Sequence, residues 1–122
     1  MALVLVVDDD PVFREIAAET LAQAGHRSLA AEDGAAALAL APDGPPDAAI
    51  VDMLMPNRDG IETIVDLKAR WPGLKVIAVS AGARLLDPGL LLRAAATLGA
   101  DATLQKPVGK DQLTAALAAL LG

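Results

Sequence analysis

The sequence predicts an α/β domain: a three-layer αβα sandwich in which a doubly wound sheet of five parallel strands lies between helices. Three observations predict it. Five short apolar runs alternate with longer helical patterns in a (βα)5 order. Most of the runs are apolar at every position rather than at every second one, as strands covered on both faces are. The helical stretches begin and end on capping and breaking signals, so each joins two strands as a right-handed crossover.

The first strand is LVLVV at 3–7, followed by DDDP. Asp10-Pro11 reads as an N-cap with proline at the first helical position, and Gly25 stops that helix. RSLAA at 27–31 is the second strand. A second helical pattern runs to the Pro- and Gly-rich loop at 42–46, and the third strand, AAIVD at 48–52, follows. Asp59-Gly60 opens the third helix and Trp71-Pro72-Gly73 breaks it. KVIAV at 75–79 is the fourth strand. Asp87-Pro88 repeats the cap-and-proline start and Gly99 repeats the stop, bounding a fourth helix. ATLQ at 102–105 is the fifth strand. The last helix, 111–121, carries LTAALAALL and is apolar nearly all round, which suits either a covered helix or a face for a partner.

Composition narrows the function. With 122 residues and 54% apolar content, the chain can bury a core as a single domain, 1–122, with no output domain expected. A net charge of −6 argues against binding nucleic acid or an anionic membrane, since phosphate neutralisation needs a basic face. No run approaches the roughly 20 apolar residues of a membrane span, and no signal peptide precedes the first strand. The absence of cysteine excludes disulfide and thiol chemistry and fits a cytoplasmic protein. The aromatics are Phe13 and Trp71 alone, too few for stacking on bases or sugars.

In a sheet of this kind ligands sit beyond the carboxyl ends of the strands. Those ends carry one chemistry. Strand one delivers Asp8 and Asp9, strand three Asp52, strand four the Ser80 hydroxyl and strand five the Lys106 ammonium. Clustered carboxylates repel one another unless a cation sits among them. Lys106 supplies one positive charge, and Mg²⁺, a hard ion that takes oxygen ligands, would supply the rest. A carboxylate is also a covalent nucleophile toward phosphorus, and a metal, an ammonium and a hydroxyl suit the oxygens of a transferring phosphoryl group. Asp10 is assigned to helix capping, and Gly60 to close backbone packing. His26 falls away from this edge, as a surface histidine, so the chain reads as an acceptor of phosphoryl groups and not a donor.

The order VVDDDP with Arg14, D52-M-L-M-P56-N-R-D59-G60, VIAVSA at 76–81, GAD at 99–101 and QKP at 105–107 resembles the receiver domain of two-component response regulators, from Leu3 to the last helix. The resemblance implies a flavodoxin-like sheet of order 2-1-3-4-5 and a signalling switch rather than an enzyme, with chemistry limited to self-phosphorylation and autodephosphorylation. It implies Asp52 as phosphoacceptor, Asp9 as direct Mg²⁺ ligand, Asp8 acting through water, and the main-chain oxygen of Leu54 as a further ligand. Ser80 and Lys106 would contact the phosphoryl group, and Pro107 would hold the lysine loop through a cis peptide bond. The implied partners are a histidine kinase or histidine phosphotransfer protein and a downstream protein target, with a possible homodimer through helices four and five. Two departures stand out. Thr103 occupies the position where the family usually has an aromatic switch residue, and 81–88 is a few residues longer than the common version. Neither Leu54 nor Gly82 has a side chain that orients water, which implies a long-lived phosphoryl form.

Two other functions compete. D8-D-D10-P-V12 fits the DxDx[TV] motif of haloacid dehalogenase-type phosphatases, with Asp8 and Asp10 as the working acids. Those enzymes need a further acidic pair after the lysine strand, where only Asp111 follows, and Asp52 would go unexplained. A receiver-like binding module that is never phosphorylated is the second; its mark would be a degenerate acid cluster, and this one is complete.

Overall fold

A computed structural model of the protein describes residues 2–40, 45–53, 60–80, 93, 96, 97 and 99–121. Its strands are β1 (Leu3–Val7), β2 (Arg27–Ala31), β3 (Ala48–Asp52), β4 (Lys75–Ser80) and β5 (Ala102–Gln105). All pair in parallel, in the order β2-β1-β3-β4-β5. Four strands have the bounds read from the sequence. β4 runs one residue further, because Ser80 pairs with Gln105 across the β4–β5 ladder.

The helices are α1 (Pro11–Gln23), α2 (Gly34–Ala39), α3 (Gly60–Arg70) and a C-terminal helix, Lys110–Leu121. Asp10 caps α1 as expected: its Oδ1 accepts the Val12 N–H at 3.0 Å, and Pro11 opens the first turn, where no N–H is missed. Gly25, just past the end, has φ 87°, a conformation costly for residues with a Cβ. Of the predicted fourth helix, residues 93, 96 and 97 are helical and Gly99 ends it at φ 117°. Its start at Asp87-Pro88, the long segment 81–88 and Gly82 lie outside the described residues.

The continuous apolar runs are explained by burial on both faces. In β1, Leu5 and Val7 point to one layer with α2 and α3, and Val4 and Val6 to the other with α1 and the C-terminal helix. β3 and β4 divide likewise: Ala49, Val51, Val76 and Ala78 on one face, Ala48, Ile50, Ile77 and Val79 on the other. Each fully buried Leu, Ile or Val contributes about 1.5–3 kcal/mol relative to exposure, so the central strands are the anchor of both layers. The C-terminal helix is less uniform than its letters suggest. Leu113 and Leu117 are buried, Leu120 and Leu121 half-buried, and Ala115, Ala118 and Ala119 face outward.

Two features fix the ends of the sheet, one at the edge where the site lies and one at the opposite edge. A Cβ on Gly60 would come within 2.5 Å of the Asp52 carbonyl oxygen and the Met53 Cα, so α3 starts directly against the end of β3. Any larger residue there would push the two apart. Asp101 locks the start of β5: its N–H donates to the Val76 carbonyl at 2.7 Å, and its Oδ2 accepts the Val76 N–H at 2.8 Å and Lys68 Nζ at 2.9 Å. Burial pushes the Asp101 carboxyl up, but the Lys68 and Val76 bonds and the charges of Lys68 and Lys75 outweigh that and hold it below its ordinary 3.8.

Candidate functional site

The sheet order puts β1 beside β3, and the register pairs Val7 with Val51. The residues that follow, Asp8 and Asp52, therefore leave the sheet side by side. Because β1 also pairs with β2, the chain reverses its direction of winding here, and a crevice opens at that switch point. Asp52 aligns with Val79, which places Ser80 one step further along the same edge. The Lys106 N–H donates to the Ser80 carbonyl at 2.8 Å, so the β5 end carries the lysine to the same mouth.

There the side chains form one cluster. Ligand oxygens of Asp8, Asp9 and Asp52 all lie within 4.8 Å of one another. Asp8 is 1% exposed and Asp52 5%, while Asp9 is exposed. Lys106 Nζ lies 2.7 Å from Asp8 Oδ2 and 3.9 Å from Asp52 Oδ2. The other Asp8 oxygen, Oδ1, accepts the Asp10 N–H at 2.8 Å. Ser80 is fully buried at the edge of the cluster. The Lys106–Pro107 peptide bond is cis, as the resemblance implies, and Pro107 turns the chain away from the lysine. Thr103 points outward on β5, opposite Ala78 in the ladder. Leu54, with residues 55–59, lies outside the described residues.

Among the described residues three carboxylates face one ammonium, an excess of negative charge that a divalent cation matches. The donors are all hard oxygens, and Asp9 is open to solvent, so the group fits Mg²⁺ in both charge and ligand type.

The same contacts weigh against the phosphatase alternative. Its first acid, Asp8, is buried and held on both oxygens, by Lys106 and by the Asp10 N–H. Its second, Asp10, has its carboxylate on the Val12 N–H. Both acids thus have structural partners, and Asp52, which joins the cluster, has no place in that reading.

Three contacts were not legible in the sequence. Arg14 Nη1 donates to the Asp8 carbonyl at 2.7 Å and ties α1 to the end of β1. Lys106 Nζ sits 4.3 Å from the centroid of the Phe13 ring. An apolar hollow of ≈ 400 Å³ lined by Phe13, Ile16, Pro107 and Val108 opens beside the lysine. The signal for the first two was the spacing: Phe13 and Arg14 lie in the first turn of a helix whose cap adjoins the acids. His26, read as a surface histidine, is half-buried, and its Nδ1 accepts the Ala2 N–H at 3.1 Å at the opposite edge of the sheet.

Comparison with known proteins agrees with this geometry. Residues 4–118 match the family model described as response regulator receiver domain. The transcriptional regulatory protein KdpE of Mycobacterium tuberculosis is 36% identical over 119 residues, covering 98% of this chain and 50% of that protein. The response regulator MprA of a Mycobacterium species is 35% identical, covering 97% and 50%. The chain thus spans about half the length of the curated relatives it matches. Among solved structures, a CheY-like receiver domain protein from Methanospirillum hungatei superposes with a TM-score of 0.87 at 26% identity, covering 99% of this chain and 94% of that one. The chemotaxis protein CheY4 of Vibrio cholerae gives 0.87 at 28%, covering 99% of each. A match over nearly the whole chain, on the sheet order and acid cluster described above, places this protein in the response regulator receiver domain family of two-component signal transduction.

Proposed function

We propose that Asp52 accepts a phosphoryl group from a phosphohistidine, in a Mg²⁺-dependent reaction, and that the acyl phosphate switches the protein's contacts with other proteins. The observation that carries this is the position of Asp52: a nearly buried carboxylate at the end of a central strand, facing Asp8, Asp9 and Lys106. An Asp52 oxygen would attack phosphorus in line as the phosphorus–nitrogen bond breaks and the donor's imidazole leaves. Asp8 and Asp9 would hold Mg²⁺ together with Asp52, with the Leu54 main-chain oxygen as a further ligand. When bound, the ion supplies positive charge to the phosphoryl oxygens. Lys106, 3.9 Å from Asp52 Oδ2, is too far for a hydrogen bond to that oxygen but close enough to pair with a phosphoryl oxygen placed on it. The Ser80 hydroxyl would take another of those oxygens.

The donor would be a histidine kinase or a histidine phosphotransfer protein. Val12 and Ile16, 61% and 46% exposed on α1, with Ile16 lining the hollow beside Lys106, offer such a protein an apolar footing. Signalling would run through Ser80 and Lys106 rather than through an inward-flipping aromatic, because Thr103 stands at that position. The negative charge disfavours direct contact of these 122 residues with nucleic acid; the regulatory names of the relatives belong to proteins about twice as long. No helix among the described residues is long and apolar enough to cross a membrane, and a cytoplasmic site of action suits a partner kinase that uses ATP. Helices four and five remain the candidate surface for a homodimer, where the C-terminal helix presents Ala115, Ala118 and Ala119. Light scattering with and without beryllofluoride tests this: unchanged mass would count against it.

The decisive measurement is intact mass after incubation with acetyl phosphate and Mg²⁺. The wild type should gain one phosphoryl group and Asp52→Ala none. Equal uptake by the variant would overturn the assignment.

A further inference from the structure

We propose that Phe13 is a positioning residue for Lys106, its ring holding the ammonium in register with Asp52 for phosphoryl transfer. The proposal deepens the phosphoacceptor reading and rests on it. Among the described residues, the Lys106 ammonium has three neighbours of different kinds. Asp8 Oδ2 forms the direct ion pair at 2.7 Å, Asp52 Oδ2 stands off at 3.9 Å, and the Phe13 ring centroid lies 4.3 Å away. The ring is well within the distance at which an aromatic face attracts an ammonium.

The need for a third contact follows from the charges. Asp8 anchors the ammonium at 2.7 Å, but one ion pair leaves a side chain with four flexible bonds able to pivot about that oxygen, toward Asp52 or away from it. The ring face attracts a cation without neutralising it. It therefore restrains the side chain while leaving N–H donors for a phosphoryl oxygen. The ring and the lysine also share the wall of one apolar hollow, and apolar surroundings strengthen an ion pair. Phe13 is placed for this by the chain around it. It sits in the first turn of α1, whose start is fixed by the Asp10 cap and whose side is tied to β1 by Arg14 on the Asp8 carbonyl. The far wall of the same contact, Pro107 and Val108, is set by the turn after β5. Packing alone would be satisfied by leucine or methionine; only an aromatic face supplies the attraction for the cation.

The composition makes the test clean. Phe13 is the chain's single phenylalanine, so biosynthetic incorporation of a fluorinated phenylalanine alters this ring and nothing else. Fluorination drains the negative ring face with little change in volume. The rate of phosphate uptake from acetyl phosphate, followed by intact mass at fixed Mg²⁺, should fall stepwise from phenylalanine to 4-fluoro to 3,4,5-trifluorophenylalanine, to a total of about 3- to 10-fold. Phe13→Leu should fall by a similar factor, and Phe13→Trp should recover most of the rate. In the resting protein, the fluorine NMR signal of 4-fluoro-Phe13 should shift on Lys106→Gln, which checks the contact in solution, while the graded fluorine series separates attraction for the cation from packing. Equal rates across the fluorine series, or an unmoved fluorine signal, would overturn the proposal. If unsubstituted protein takes up no phosphate at all, the phosphoacceptor reading is what fails; normal uptake with a flat series sinks only the role of Phe13.

Discussion

Two lysine–aspartate pairs hold the same sheet, and they differ in everything but chemistry. Lys106–Asp8 joins β5 to β1 at the strand ends, 2.7 Å apart, with Asp8 buried and two more carboxylates beside it. Lys68–Asp101 joins α3 to the start of β5, 2.9 Å apart, with both side chains about a quarter exposed. The Asp101 carboxylate also accepts a backbone N–H, so one ammonium meets one carboxylate and the pair is a fastening. At the other pair, among the described residues, one ammonium is outnumbered by acids. A fold gains nothing from that excess, which is what the proposed binding of a cation and a phosphoryl group would explain. Location and stoichiometry, rather than the pair itself, separate a structural bridge from a functional one.

The sharpest way to break the comparison is to remove the lysine from each. Lys106→Met leaves Asp8 buried and unpaired and should cost about 3 kcal/mol of stability in EDTA, by urea denaturation. Mg²⁺ should restore part of the loss, since the ion would bind the folded protein alone. Phosphate uptake should become undetectable. A variant as stable as wild type in EDTA would mean that Asp8 is well solvated in spite of its burial.

The structural pair should behave differently. Asp101→Asn should cost about 1–2 kcal/mol, chiefly through weakened bonds to Val76 and Lys68, and leave the rate of phosphate uptake unchanged. A large fall in that rate would show that the β5 start and the site are coupled.

The smallest effect is its pH dependence. The folded Asp101 carboxyl lies below its unfolded value of 3.8, so its stabilisation is complete above that value and is lost as pH falls through the folded pKa. The stability difference between wild type and Asp101→Asn should therefore be constant at neutral pH and narrow below about pH 4. A gap that persisted under acid would mean that the carboxylate charge contributes nothing.

How much of this was written in the sequence depends on the range of the interaction. The strands were legible because each is a short run of branched apolar residues, and burial on both faces imposes that pattern at every position. The caps at Asp10 and Gly25 were legible because they act within a turn. The acid cluster was legible once the sheet was assumed, since strand ends are local even when their neighbours are not. The C-terminal helix was less so: LTAALAALL looks apolar all round, and only packing distinguishes leucines turned inward from alanines turned out. Asp101 carried no signal of its fastening role, because its partners Lys68 and Val76 are 33 and 25 residues away.

The sequence by itself determined the elements, their parallel pairing and the set of residues able to handle a phosphoryl group. These follow from periodicity, capping and side-chain chemistry, all short-range properties. Tertiary structure alone decided how that set is arranged: that Asp8 holds Lys106 on one oxygen and the Asp10 N–H on the other, that Asp52 stands 3.9 Å from the ammonium, and that Phe13 lies against it. Asp8 and Lys106 are 98 residues apart, and no local rule sets the distance between them. That distance is fixed by the strand order and by the layers that pack the sheet.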